Sequence, residues 1–195
     1  MIRRELITGA ILAGGRGLRM DGADKGLLPY QGRPLISHVI DVIRPQVGSI
    51  VVSANRHRES YAQLGFPVVS DRDGGFPGPL AGIARVLEEA GTPYVLIVPC
   101  DMPFLPRRLA SRLSEALVEG DAQASLAYGA GRLQPLCVLL RCDAQEDLRD
   151  YRMAGGAKVE LWLRRLRHAV AEFPNGQKAF RNINTPDELI AEATA

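Results

Sequence analysis

Residues Leu6 to Gly26, LITGAILAGGRGLRMDGADKG, decide how the rest of the chain is read. An apolar run from Leu6 to Leu12 ends in Gly14-Gly15, and the loop that follows carries three cations, Arg16, Arg19 and Lys25. Glycines at a strand end let backbone N–H groups approach anionic oxygens with no side chain in the way. Three cations in one short loop repel one another unless an anion joins them. The stretch therefore reads as a phosphate loop, with a turn of solvated charges as the bland alternative. It is neither of the two familiar phosphate motifs. A Walker loop needs Lys and then Ser or Thr after its last glycine, but Ala23 follows Gly22. A dinucleotide fingerprint needs glycine where Met20 stands. It also needs an acidic residue closing the second strand, where Ser53-Ala54-Asn55-Arg56 is found.

Outward from this loop, strand-like runs alternate with helix-like stretches. Strands are expected at Ser49 to Ser53, Val68 to Ser70 and Tyr94 to Pro99. The last is apolar on both faces, as a central parallel strand should be. Apolar spacing predicts helices at Pro34 to Arg44, Arg58 to Leu64 and Pro79 to Ala90, and along Leu105, Leu109, Leu113 and Leu117. Strands near Ala124 to Tyr128 and Gln134 to Leu140 flank a hairpin-like YGAGR turn. Short helices at Ala144 to Tyr151 and Lys158 to Leu166, a strand at Ala169 to Phe173, an extended piece at Phe180 to Ile183 and a helix from Pro186 complete the pattern. Such alternation predicts an open α/β fold, a mostly parallel twisted sheet flanked by helices, with ligands at the carboxyl ends of the strands.

The 195 residues suit a single domain spanning 1–195. Hydrophobic content of 46% and charged content of 24% are ordinary globular values. A net charge of +2 excludes a strongly basic nucleic-acid binder and an acidic tail. Cys100, Cys137 and Cys142 are too few and too irregular for a disulfide framework, and His38, His57 and His168 are scattered, so structural zinc is not expected. Arg3 and Arg4 before an apolar run only faintly suggest a signal peptide, since Glu5, Thr8 and the glycines interrupt it. No run reaches the roughly 20 apolar residues that span a bilayer. A soluble cytoplasmic protein is expected, with no membrane and no nucleic acid among its partners.

Two carboxylates stand at expected strand tips. Asp101, in Pro99-Cys100-Asp101-Met102-Pro103, either caps local backbone or holds a hard cation. Opposite a phosphate loop the cation is favoured, because magnesium is usually bound by one or two carboxylates plus substrate phosphates. Asp71 has three open roles: metal ligand, ribose partner, or start of the turn Asp71-Arg72-Asp73-Gly74. Cys100 reads as a buried small residue rather than a nucleophile. Gly78-Pro79-Leu80-Ala81-Gly82 opens a helix whose N–H groups can face a base or phosphate, or it is merely a proline-started helix.

Leu12-Ala13-Gly14-Gly15, Arg19-Met20 and Asp24-Lys25-Gly26 together resemble the signature of the molybdenum cofactor guanylyltransferases. Asn55-Arg56, Asp71, Gly78 to Gly82, Pro99 to Pro103, Gln134-Pro135 and Asn182-Ile183-Asn184-Thr185-Pro186 agree in order and spacing. The resemblance implies a Rossmann-like nucleotidyltransferase fold and transfer of GMP from GTP to the terminal phosphate of Mo-molybdopterin, with pyrophosphate released. It implies GTP binding by Leu12, Ala13, Gly14, Gly15, Lys25, Ser53, Asp71, Gly82 and Asp101. It further implies Mg2+ on Asp101, with Mn2+ as the alternative ion, catalysis by Asp101, Lys25 and Arg19, and pterin binding by Asn182 and Asn184. Molybdoenzyme apoproteins or chaperones are the implied recipients. Ser53 departs from an asparagine common in the family and offers one functional group instead of two. Asp21 replaces a glycine.

The chemistry fits the residues. A phosphate monoester, with a second pKa of about 6, is already ionised at neutral pH and needs no general base. What remains is positioning two anions and neutralising charge in an in-line displacement. Competing readings are a transferase using CTP or a sugar phosphate, a non-catalytic nucleotide or cofactor carrier, and a nicotinamide-dependent oxidoreductase, which Met20 disfavours. Trp162 reads as a packing anchor, and Lys158, Arg164, Arg165 and Arg167 around it as a solvated helix surface. Gly155-Gly156 reads as a helix stop or a hinge.

Overall fold

The structure, a computed structural model, describes residues 1–13, 24–71, 78–174 and 178–183. In chain order the elements are β1 (Ile7–Leu12), β2 (Pro29–Tyr30), β3 (Arg33–Pro34), α1 (Leu35–Ile43), β4 (Ser49–Ser53), α2 (Arg58–Ala62), β5 (Val68–Val69) and α3 (Pro79–Glu89). They continue as β6 (Tyr94–Pro99), α4 (Leu109–Glu119), β7 (Ala124–Gly129), β8 (Arg132–Arg141), α5 (Gln145–Met153), α6 (Val159–Leu163) and β9 (His168–Glu172). Seven strands form one sheet in the order β5-β4-β1-β6-β8-β7-β9. All its ladders are parallel except those that β8 makes with β6 and β7, so the expected mostly parallel sheet is present.

Side chains alternate across the central strands, which is why those strands read as apolar on both faces. Ile7 and Ile11 of β1, Val52 of β4, and Leu96 and Val98 of β6 pack on one side with α1 and α4. Ala10, Val51, Val95 and Ile97 pack on the other with α3, α5 and α6. Each fully buried Val, Ile or Leu in these rows contributes about 1.5–3 kcal/mol relative to exposure. The chain runs from β1 outward to β4 and β5, then crosses back through α3 to β6 on the opposite side of β1. That reversal opens a crevice between the carboxyl ends of β1 and β6. The register sets those ends level, pairing Leu12 with Ser53 and with Pro99, and Ser53 with Val69.

Several elements differ from the sequence expectation. The helix through the leucine repeat begins at Leu109, not Leu105. Pro106 disfavours helical backbone at Leu105, which still packs in the same core as Leu109 and Leu113. Pro34 lies at the N-cap of α1 and in a two-stranded hairpin whose turn residues, Gln31 and Gly32, both have positive φ. Phe180 to Ile183 joins no strand; it turns at 178–180 and then crosses to the β6 tip. The helix expected from Pro186 lies outside the described residues.

The β7–β8 hairpin closes through Ala130 and Gly131, both at positive φ as a tight hairpin turn requires. Between Leu126 and Ala127 the register jumps from Val138 to Gln134, a bulge that accommodates Pro135 and buries Gln134. Trp162 is fully buried with its indole N–H donated to Asp147, and Arg164, Arg165 and Arg167 pair with Glu160, Asp147 and Asp121. The basic face is thus largely neutralised locally. Gly155, at φ +82°, stops α5. Among the described residues no helix is long and apolar enough to cross a membrane.

A Cβ on Gly129 would run into the Phe180 ring, which also packs edge-to-face with Phe173 at 5.4 Å between centroids. Gly129→Ala should therefore cost about 1–3 kcal/mol, read as a lower urea midpoint. An unchanged midpoint would show that the 178–183 segment is not seated on β7.

Candidate functional site

The level strand ends place most of the candidate residues along one rim. Past β1, the Ala13 N–H donates to the Ser53 carbonyl at 2.8 Å, and the Cys100 N–H donates to the Leu12 carbonyl at 3.1 Å. These bonds carry the ladder one step beyond the strands and fix where residue 13 leaves the sheet. Gly14, Gly15 and Arg19 lie outside the described residues, as does Asn184.

Asp101, just beyond the β6 tip, is 9% exposed. Lys25 Nζ donates to its Oδ2 at 3.4 Å, and the Asn182 side-chain amide donates to its Oδ1 at 3.1 Å. The Ile183 N–H donates to the Asp101 backbone carbonyl at 2.9 Å. Lys25 belongs to a single 3-10 turn, Lys25–Leu27, closed by the Leu27 N–H on the Asp24 carbonyl. The structure thus brings Lys25, Asp101 and Asn182 to one point. Beneath it, the Cys137 thiol meets the Met102 sulfur at 3.6 Å, so the β8 bulge supports the Asp101 turn from inside.

Asp71 follows β5 on the far side of β4. Asn55 Nδ2 donates to Asp71 Oδ2 at 2.7 Å, and the Asp71 N–H donates to Asn55 Oδ1 at 2.9 Å. The two bonds close a ring that fixes the carboxylate. Its Oδ1 is buried with no partner among the described residues, an acceptor poised for a donor or a cation. β5 and β6 stand three ladder steps apart, about 14 Å at the usual strand spacing. A magnesium ion holds its oxygens at about 2.1 Å. Strand positions this far apart do not favour one ion shared by Asp71 and Asp101.

Ser53 is buried at the end of β4, directly under the first turn of α3. A Cβ on Gly82 would stand 2.7 Å from Ser53 Oγ. Gly78, at φ +83°, permits the entry to α3, and Pro79 occupies its first turn. Burial, and then the neighbouring carboxylates of Asp101 and Asp24, push the Cys100 thiol up. Cys137 is pushed up in the same way, by burial and then Asp101. Neither thiol is available as a thiolate nucleophile at neutral pH. Among the described residues no cluster of three or more His, Cys, Asp and Glu side chains is arranged to hold a metal.

Sequence reasoning quoted Asn55 and Asp24 without giving them a role, and missed Tyr61 altogether. The Tyr61 hydroxyl donates to Asp24 Oδ1, and His57 Nδ1 lies 3.2 Å from Asp24 Oδ2. The acidic residue of Asp24-Lys25-Gly26 is the only sequence signal for that contact.

Residues 9–170 match the family model described as a MobA-like NTP transferase domain. The chain belongs to that family. A Methylibium petroleiphilum protein named molybdenum cofactor guanylyltransferase is 45% identical, covering 97% of this chain and 96% of its own length. A Shewanella pealeana protein of the same name is 40% identical over 97% and 96%. Among solved structures, the molybdopterin-guanine dinucleotide biosynthesis protein A of Archaeoglobus fulgidus superposes with a TM-score of 0.75 at 24% identity, covering 96% of this chain and 97% of that one. The 2-C-methyl-D-erythritol 4-phosphate cytidylyltransferase of Thermus thermophilus superposes at 0.70, with 20% identity over 95% and 96%. These two likenesses establish a nucleotidyltransferase fold.

Glycine in a helix ordinarily costs up to about 1 kcal/mol relative to alanine, so Gly82→Ala should stabilise if only propensity mattered. The contact with Ser53 reverses the sign. Gly82→Ala should lower stability by about 1–2 kcal/mol, and adding Ser53→Ala should restore most of it. Equal losses with and without the Ser53 hydroxyl, in denaturant titrations, would refute the contact.

Proposed function

We propose that the protein, a single nucleotidyltransferase domain over 1–195, transfers GMP from GTP to the terminal phosphate of Mo-molybdopterin and releases pyrophosphate. One observation carries the reading. Lys25 and Asn182 converge on Asp101 at the switch point, in a chain 45% identical over nearly its whole length to a relative bearing that activity's name. The cytoplasm, which supplies GTP and keeps thiols reduced, suits the three free cysteines. The dinucleotide product would pass to molybdoenzyme apoproteins or their chaperones.

The residues divide the work as follows. Leu12, Ala13, Gly14 and Gly15 would offer backbone to the triphosphate, with Lys25 and Arg19 as counter-charges. Ser53, Gly82 and Asp71 would line the nucleoside side of the crevice, where Asp71 Oδ1, without a partner among the described residues, would accept from the ligand. Asn182 already gives an N–H to Asp101, and its second amide N–H would donate to the pterin phosphate, beside Asn184.

A magnesium ion fits Asp101, a hard carboxylate whose two oxygens are oriented by an amide and an ammonium. Bound there, Mg2+ or Mn2+ would neutralise charge on the transferring phosphate. Lys25 Nζ, close to Asp101, would shift onto the phosphate oxygens as they arrive. The attacking phosphate monoester needs no proton removed, so no histidine is required. Positioning and electrostatics are what this chain supplies.

The test is pyrophosphate release by the purified protein with Mg2+, Mo-molybdopterin, and GTP or CTP in turn. Cofactor-dependent release with GTP alone is expected; release with CTP alone would move the protein to a cytidylyl transfer, and silence with both would refute transfer. Asp101→Ala should lower the rate by at least about 100-fold, and Lys25→Ala should raise the KM for GTP as well as lower kcat. Cys100→Ala should stay within a few-fold of the parent.

A further inference from the structure

Lys25 sits next to a carboxylate of its own turn. Asp24 is the residue before it, and its side chain is only 8% exposed. A partly buried carboxylate with empty lone pairs is costly, and the nearest ammonium along the chain is that of Lys25. The structure fills those lone pairs from elsewhere. The Tyr61 hydroxyl, on a fully buried ring, donates to Oδ1, and His57 Nδ1 lies at Oδ2. Tyr61 lies within α2 and His57 just before it, 37 and 33 residues away.

Two further features show that this contact is tightly fitted. A Cβ on Gly26 would lie 2.5 Å from the Tyr61 hydroxyl oxygen, so the Lys25 turn rests on the tyrosine itself. His57 has φ +47° and ψ +36°, a left-handed backbone that non-glycine residues adopt at some cost. That conformation immediately precedes α2, in the residue whose ring meets Asp24. The charged or titratable neighbours around the hydroxyl are Asp24, Cys100 and Arg56, and burial followed by Cys100 and the Asp24 bond pushes the phenol pKa up. The hydroxyl therefore keeps its proton and remains a donor.

We infer that Tyr61 and His57 form a clasp that occupies the Asp24 carboxylate, and so keeps the Lys25 ammonium turned to Asp101 and to the triphosphate. They are positioning residues that act through Lys25. The inference rests on the reading of Lys25 as a phosphate partner. Opening the clasp leaves Asp24 in need of a cation, and Lys25 supplies it at the expense of the nucleotide.

The experiment removes the clasp and then the charge it hides. Tyr61→Phe deletes one hydroxyl, and the KM for GTP should rise about tenfold, as should the GTP dissociation constant by calorimetry, with kcat falling less. Adding Asp24→Asn removes the competing charge, and both constants should return to within about threefold of the parent. A bond that served stability alone would give no such rescue. A double variant no better than Tyr61→Phe overturns the proposal. Should Tyr61→Phe fold poorly, His57→Ala, whose ring is half exposed, gives the same comparison with a smaller rise, again relieved by Asp24→Asn. Unchanged constants in both single variants also overturn it. The parent's transfer rate tests the guanylyl reading separately, because calorimetry reads the clasp whatever the acceptor.

Discussion

The structure turns on one carboxylate. Asp101 is reached from 76 residues away by Lys25 and from 81 residues away by Asn182, one partner for each oxygen. An anion at the tip of a buried parallel strand is expensive unless such partners arrive. The β1–β6 adjacency brings the Lys25 turn beside it, and Ile183 ties the segment at 178–183 to its backbone. Without these contacts the three stretches would be separate surface loops.

The second constraint is register. Because Leu12, Ser53, Val69 and Pro99 share one row, the chain leaves all four strands at one level, on one rim of the sheet. The Asp101 side of the crevice gathers an ammonium, an amide and a carboxylate. The Asp71 side, held by Asn55, offers an acceptor without a partner among the described residues, further out along the sheet.

Much of this was legible in the sequence, for physical reasons. Ser49 to Ser53 and Tyr94 to Pro99 have the bounds their apolar runs suggest, because both strands are buried on both faces along nearly their whole length. The start of the glycine-rich stretch at Ala13 and the Pro-Cys-Asp tip stand side by side, as the strand pattern suggests, because β1 and β6 are neighbours in level register. Leu105 misled because a loop residue packing on the same core continues the leucine period, while Pro106 delays the helix. Phe180 to Ile183 reads as an extended piece, and what the sequence does not show is its partner: the Ile183 N–H is donated to the Asp101 carbonyl, not to a strand. Contacts such as Asn55 with Asp71 and Tyr61 with Asp24 join residues that no local period relates. Only the folded sheet shows them.

The most direct measurement of the central claim is a crystal structure of the protein with Mn2+ and a non-hydrolysable GTP analogue, the metal located by its anomalous signal. The account predicts the ion on Asp101 at about 2.2 Å, the triphosphate against the loop after β1, and Lys25 on its oxygens. An ion seated at Asp71, or a triphosphate remote from the β1–β6 crevice, would contradict it.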